Sequence, residues 1–345
     1  MDFEATVAVA SGWQVAAVSA IAALTVTLLA FHLHSRSTEH RLSRTSHPEL
    51  ESGQTVPQLE GKTDRELVEG PHAAAETEGS PAFSELIAQL YSGNSALCLA
   101  AIERLEALAG DARVDHRAVM EALAAFIRKT LETLDGAPPP VRQAQSMAIR
   151  AAVKVVTRRD TSKDFPSLEL YLAGADLSGS RLSGADLHQA DLSRADLSGA
   201  DLERAILSKA RLVEAILYQA DLAGAYLAAA DLTGAKLPLA ALRGAILSRA
   251  RLRHAVLPGA KLPGAILYEA DLTGAHLAAA DLTGADLTAA TLCEAKLPGA
   301  DLSRADLSGA DLRGAWADSA TLWPEEFDAV AARAAGVRLQ WEGGV

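Results

Sequence analysis

The chain has 345 residues, with 44 Asp and Glu against 32 Lys and Arg and a formal net charge of −12. That balance excludes a general nucleic-acid binder, which needs a basic surface. Two cysteines, Cys98 and Cys293, supply no disulfide framework and fit a reducing compartment.

The first predicted element is a membrane anchor within residues 1–34. From Gly12 to Leu33 the chain is predominantly apolar, holds no Asp, Glu, Lys or Arg, and starts beside Trp13. About 20 apolar residues suffice to cross a hydrocarbon core of roughly 30 Å. Asp2 and Glu4 precede the run, while Arg36, Arg41 and Arg44 follow it. Positive flanks stay inside, so the N-terminus is expected outside and the bulk of the chain in the cytoplasm. The missing positive n-region argues against a cleaved signal peptide. Residues 35–80, polar and interrupted by Pro48, Pro57 and Pro71, read as a flexible linker.

Residues 81–160 carry helical periodicity and read as a small α-helical domain. Ala101, Leu105 and Leu108 share one face; Val119, Leu123, Phe126, Ile127 and Leu131 share another. Gly110 and the stretch from Gly136 to Pro140 interrupt them, and a third amphipathic segment runs from Val141 to Val156.

Residues 168–315 are ruled by a different period. Leucine stands at every fifth position from Leu172 to Leu312, 29 times in succession. Two residues before each leucine after the first stands alanine, with Ser180 the one exception. A period of five fits neither a straight helix nor a flat strand, because it would scatter the leucines over every face. It fits a chain that bends at each repeat and coils, burying Leu and Ala against neighbouring coils. Pro258-Gly259, Pro263-Gly264 and Pro298-Gly299 follow leucines directly, which places a type II turn after each one. Beyond the array, Trp316, Leu322, Trp323 and Phe327 read as a lid, with a helix from Pro324 to Ala335; residues 316–345 thus form a C-terminal cap and tail.

The units Ala175-Asp176-Leu177-Ser178-Gly179 and Ala300-Asp301-Leu302-Ser303-Arg304 resemble the A-(D/N)-L-x-x unit of pentapeptide-repeat proteins. The resemblance implies a mainly β fold, a right-handed quadrilateral β-helix with four repeats per coil and about seven coils. At about 4.8 Å per coil the rod would be roughly 35 Å long. The string from Ala101-Ile102-Glu103-Arg104-Leu105 through Asp115 to Arg128 is similar to a segment of bacterial membrane proteins that carry such repeats. Together these imply a single-pass protein of the bacterial inner membrane.

Chemistry is sparse. Walker, dinucleotide-binding and nucleophile-elbow motifs are missing. His32 and His34 form an H-x-H pair without a Cys or carboxylate to complete a metal set. No cofactor or metal is expected, and no catalytic residue is assigned. The Asp residues before the leucines belong to the repeat unit, beside its turns.

The departures from that unit are more informative. With 20 residues per coil, the positions before the leucines on one side read Asp186, Ile206, Tyr226, Ile246, Ile266, Asp286, Asp306. Ile206, Tyr226, Ile246 and Ile266 are the candidate partner surface. The next side alternates: Asp191, Arg211, Asp231, Arg251, Asp271. Segments 215–233 and 265–283 are near copies, so the apolar stripe is either an interface or a by-product of internal duplication. Arg243, Arg249, Arg251, Arg253 and Lys261, with His254, form a candidate basic patch at the middle of the rod. The expected function is non-enzymatic: a membrane-tethered scaffold for an unidentified protein partner, with a homodimer left open. One alternative is a DNA mimic that protects a topoisomerase from quinolones, as some members of the resembled family do. Residues 170–322 hold 18 acidic and 14 basic side chains, too few net charges for one per about 1.7 Å of axis. A second alternative is an enzyme, whose first sign would be a pocket of titratable groups in the helical domain.

Overall fold

In the computed structural model the described residues are 81–109, 116–134, 138–159 and 170–340. The expected membrane segment and the linker lie outside them. None of the described helices is long and apolar enough to cross a membrane. The chain divides into two compact units, Met1–Ala118 and Val119–Val345.

In the first unit, α1 (Pro81–Leu90) and α2 (Ser95–Ala109) are joined by a short turn at Gly93, whose φ is +72°. The Asn94 side chain caps α2 by accepting from the amides of Ala96 and Leu97 at 3.0 and 3.3 Å. Cys98, Ala101, Ile102 and Leu105 form the buried face of α2. Burial pushes the Cys98 thiol up to about 11, so it stays protonated and unreactive at neutral pH.

The second unit is built on coils of 20 residues. Parallel bridges join each residue before a leucine to the one 20 further on, from Tyr171↔Asp191 to Lys296↔Trp316. Four repeats therefore close one coil, giving the quadrilateral β-helix that the resemblance implies. The leucines from Leu172 to Leu302 and the alanines between them are buried. All 29 turns place their second central residue at positive φ, fourteen with glycine and fifteen without.

The backbone donors explain why the repeat has its composition. In the interior repeats the leucine amide, the amide before it and the amide of the second turn residue bond neighbouring coils. Leu177, Asp196 and Gly179, for example, donate at 2.8, 2.9 and 2.8 Å. The amide after the turn closes it, as Ala175 does onto the Leu172 carbonyl at 3.0 Å. One donor is left over, on the first turn residue. Wherever Asp precedes the leucine, at thirteen repeats, its carboxylate accepts from that amide. Where the first turn residue is Pro238, Pro258, Pro263 or Pro298, no donor exists, and the residue before the leucine is Lys236, Val256, Lys261 or Lys296. Asp and Pro solve one problem in two ways and never share a repeat.

That rule makes a test. Ala228 follows Tyr226-Leu227, so its amide has no carboxylate acceptor, and Ala228→Pro is expected to stabilise by about 0.4–1 kcal/mol. Thr233 donates its amide and hydroxyl to Asp231 at 3.1 and 2.6 Å. Thr233→Pro removes both and is expected to destabilise by about 1–3 kcal/mol. Urea denaturation of the two variants should move the midpoint in opposite directions; a shift of one sign in both would refute the rule.

The upstream end is closed by a helix. α3 (His116–Leu134) is followed by α4 (Pro139–Thr157), which Pro139 and Pro140 start in the first turn. Ile149, Ala152, Val153 and Val156 form the buried face of α4. Within the coils, an amide such as that of Ile206 bonds a carbonyl of the preceding coil, Ala185, at 2.9 Å. For Asp186 the Thr157 carbonyl, a free acceptor at the end of α4, takes that place at 2.9 Å. Arg150 reaches the Asp176 carbonyl and the Ser178 hydroxyl at 3.0 Å each and also binds the Asp176 carboxylate. Arg159 lies 3.9 Å from the Asp186 carboxylate.

The downstream lid differs from the expectation in detail. A 21-residue step, Asp301↔Leu322, breaks the coil register after Trp316. β1 (Trp316–Asp318) pairs in parallel with β2 (Arg338–Gln340), and α5 (Ala329–Ala334) lies between them in sequence. The helix starts not at Pro324 but after Asp328, whose carboxylate caps the amides of Val330 and Ala331 at 2.8 Å each. Trp323 and Phe327 pack on each other at 5.3 Å, but neither is buried. Ala315, Ala317, Ala332 and Val337 are the apolar residues buried at this end, where β2 continues the stack beside β1. Leu307 remains half-buried.

Candidate protein-interaction surface

For each coil the four sides are named here A to D, after the residues before the leucine at 171, 176, 181 and 186. Side D brings the apolar stripe together. Asp186, Ile206, Tyr226, Ile246, Ile266, Asp286 and Asp306 are bridged in unbroken succession. The exposed side chains of Ile206, Tyr226 and Ile266 are 40, 46 and 38% accessible; Ile246 is half-buried between neighbours. Leu and Ala on either side of each must point inward, so the position between them points out. Four outward apolar groups in one ladder, with carboxylates at both ends, form a bounded strip.

The corner between sides D and A borders this strip. There Arg249 donates to Glu269 at 2.6 Å. The Tyr268 hydroxyl, followed by Arg249, holds the Glu269 carboxyl below its usual range. Lys209 stands at the same corner two coils upstream of Arg249 and makes no ion pair among the described residues. On side A the alternating column stacks as expected, with Arg211 3.9 Å from Asp191 and Arg251 3.8 Å from Asp231. Such exposed pairs add at most about 1 kcal/mol each, so they order the face more than they hold the rod.

The basic residues do not assemble into a patch. Arg243 lies at the corner between C and D, Lys261 on side C, Arg249 at the corner between D and A, Arg251 on side A and Arg253 at the corner between A and B. They wrap the rod rather than share a face. Three of them meet carboxylates, Arg249 with Glu269, Arg251 with Asp231, and Arg253 with Asp271 at 3.7 Å.

Two features escaped the reading of the leucine-adjacent column. The corner between B and C exposes Tyr218 and Leu239 in line with Pro258 and Pro298, without a charge from 218 to 298. Reading turn residues 20 apart would have found it. The second is a groove of about 880 Å³ between α3, α4 and the first coils, lined by Arg128, Arg142, Tyr171, Asp191, Arg194 and Arg211 among others. Arg128 lies over the Tyr171 ring at 5.8 Å. Its carboxylates are engaged: Asp191 by the Ser193 hydroxyl at 2.6 Å, Asp176 by Arg150 and Ser178. Burial opposes ionisation of Asp176, but Ser178 and Arg150 outweigh it and hold the carboxyl below its usual range. Among the described residues no cluster of His, Cys, Asp and Glu could hold a metal ion.

Residues 171–323 match the profile of pentapeptide repeats, in segments 171–208, 205–244, 245–284 and 285–323. The chain belongs to the pentapeptide-repeat family. Among solved structures, trypsin-treated QnrB1, a plasmid-mediated fluoroquinolone resistance protein, is similar at 23% identity over 49% of this chain and 89% of its own, with a TM-score of 0.39. HetL, a pentapeptide-repeat protein involved in heterocyst differentiation regulation from the cyanobacterium Nostoc sp. strain PCC 7120, is similar at 31% identity over 44% of this chain and 88% of its own, with a TM-score of 0.16. No curated protein matches this chain. Membership of the pentapeptide-repeat family rests on the repeat match, and the fold on the 20-residue coil.

Proposed function

We propose that this pentapeptide-repeat protein is a non-enzymatic interaction module whose side D binds a protein partner. The observation that carries the reading is the exposed ladder Ile206–Tyr226–Ile246–Ile266, bounded by Asp186 and Asp286. Burying it would remove apolar surface from water at about 25 cal/mol per Å². The uncharged run from Gly12 to Leu33 and its arginine-flanked inner end support a single-pass anchor in a bacterial inner membrane, with the rod on the cytoplasmic side. DNA mimicry finds less support: Lys261 interrupts the acidic column of side C, and Arg211 and Arg251 that of side A.

The test replaces Tyr226 and Ile246 together by Asp in the full-length protein. Both positions face outward, so circular dichroism and melting should stay within a few degrees of the parent. Cross-linked capture from native membranes is expected to fall at least about tenfold, as two charges in an apolar contact cost more than 1.4 kcal/mol. Undiminished capture of the same partners would overturn the assignment of side D.

A further inference from the structure

We propose that the occupant of side D is a second copy of this chain, paired antiparallel about a two-fold axis that crosses the strip between Tyr226 and Ile246. This rests on side D being an interaction surface and names its partner.

A two-fold contact requires a surface complementary to itself. Two such axes lie in the plane of the contact, across the rod or along it. An axis across the rod reverses one copy end to end and keeps each corner opposite the same corner. It sets Ile206 on the partner's Ile266 and Tyr226 on the partner's Ile246, so each tyrosine meets an isoleucine. At the corner between D and A it brings Lys209 opposite the partner's Glu269, twice by symmetry. Lys209 has no ion partner of its own among the described residues, and Glu269 already stands ionised beside Arg249. The only like charges brought together are Asp186 and the partner's Asp286 at the ends, where Arg159 stands beside Asp186. An axis along the rod would instead set the corner between C and D against the corner between D and A at equal height. Arg243 would then face the partner's Arg249, twice. This repulsion offsets the attraction of Glu203 for the partner's Lys209 two coils away, whereas the axis across the rod gains the Lys209 pair with no such clash at the corners. The charges favour the antiparallel arrangement.

Four coils of one side span about 19 Å at about 4.8 Å per coil. One side of that length offers well under the ~800 Å² per partner of a standard interface. The pairing is therefore weak in dilute solution and gains from confinement of both copies to one membrane.

Disulfide trapping in native membranes tests it, using the full-length chain with Cys293→Ser as background. The double variant Ile206→Cys with Ile266→Cys is expected to give a reducible dimer at least about tenfold above either single variant, because each cysteine lies opposite the other position in the partner. Within one chain the two stand three coils, about 14 Å, apart and cannot bridge. Singles that cross-link as well as the double would overturn the antiparallel axis. In the double-cysteine background, Lys209→Glu should lower the yield at least fivefold, and adding Glu269→Lys should restore it; failure to restore would overturn the register. If the double variant gives no dimer while Tyr226→Asp with Ile246→Asp still abolishes capture, the second copy is excluded and side D remains an interface for another protein. If capture is also unaffected, both readings fall.

Discussion

Leu247→Ala is expected to lower the unfolding free energy by about 2–5 kcal/mol, the range for a leucine removed from a tightly packed interior. Leu247 is fully buried, with Leu227 and Leu267 one coil above and below it. Neither neighbour can collapse into the space, because three amides per repeat fix the spacing of the coils. In a one-dimensional stack each coil is stabilised mainly by the coils it touches, so the loss falls on both interfaces of one coil. Leu307→Ala is the control. Leu307 occupies the same place in its repeat but is only half-buried near the lid, and its replacement should cost less than half as much. Urea denaturation of the two variants measures the contrast, and amide exchange should show the loss spreading from the coil of residue 247. Equal costs would mean that the ends of the rod are as tightly packed as its middle.

The five-residue period was legible because every repeat meets the same neighbours, so each residue type answers to one constraint. The period alone says nothing of four sides to a coil; that came from the resemblance, and the bridges 20 apart carry it in the structure. The caps were harder to read because each is used once. The upstream closure depends on one backbone carbonyl, that of Thr157, and on Arg150 and Arg159 reaching 26 and 27 residues along the chain. No periodicity marks such contacts. Downstream, Pro324 and two glutamates looked like a helix start, yet Asp328, with two free amides ahead of it, is the better cap. The apolar stripe could be assembled from the sequence because its members are 20 apart. The basic patch was misjudged by counting neighbours in sequence. Residues 243 to 253 run round more than half a coil, and the partner of Arg249 is 20 residues on, at Glu269.

Removing one repeat, residues 231–235, is expected to abolish partner capture while leaving a folded rod. The cut preserves the order of inward Leu and Ala, and all 29 turns share positive φ at the second central residue. To the backbone the four sides are therefore interchangeable, and the remaining repeats can stack after a quarter-turn shift. The outward columns cannot follow. Ile206 and Tyr226 stay on side D, while Ile246 and Ile266 move to side C, so the strip is split between two faces at a corner. Removing a whole coil, residues 231–250, is the matched control: it takes more of the chain away, including Ile246, yet leaves Ile206, Tyr226 and Ile266 in one column. Both variants should retain β-rich circular dichroism and cooperative melting, since stability in a stack scales with coils and interfaces rather than with the identity of a side. Capture should survive in reduced form in the longer deletion and vanish in the shorter one. The opposite order would show that rod length, and not the alignment of side D, governs binding.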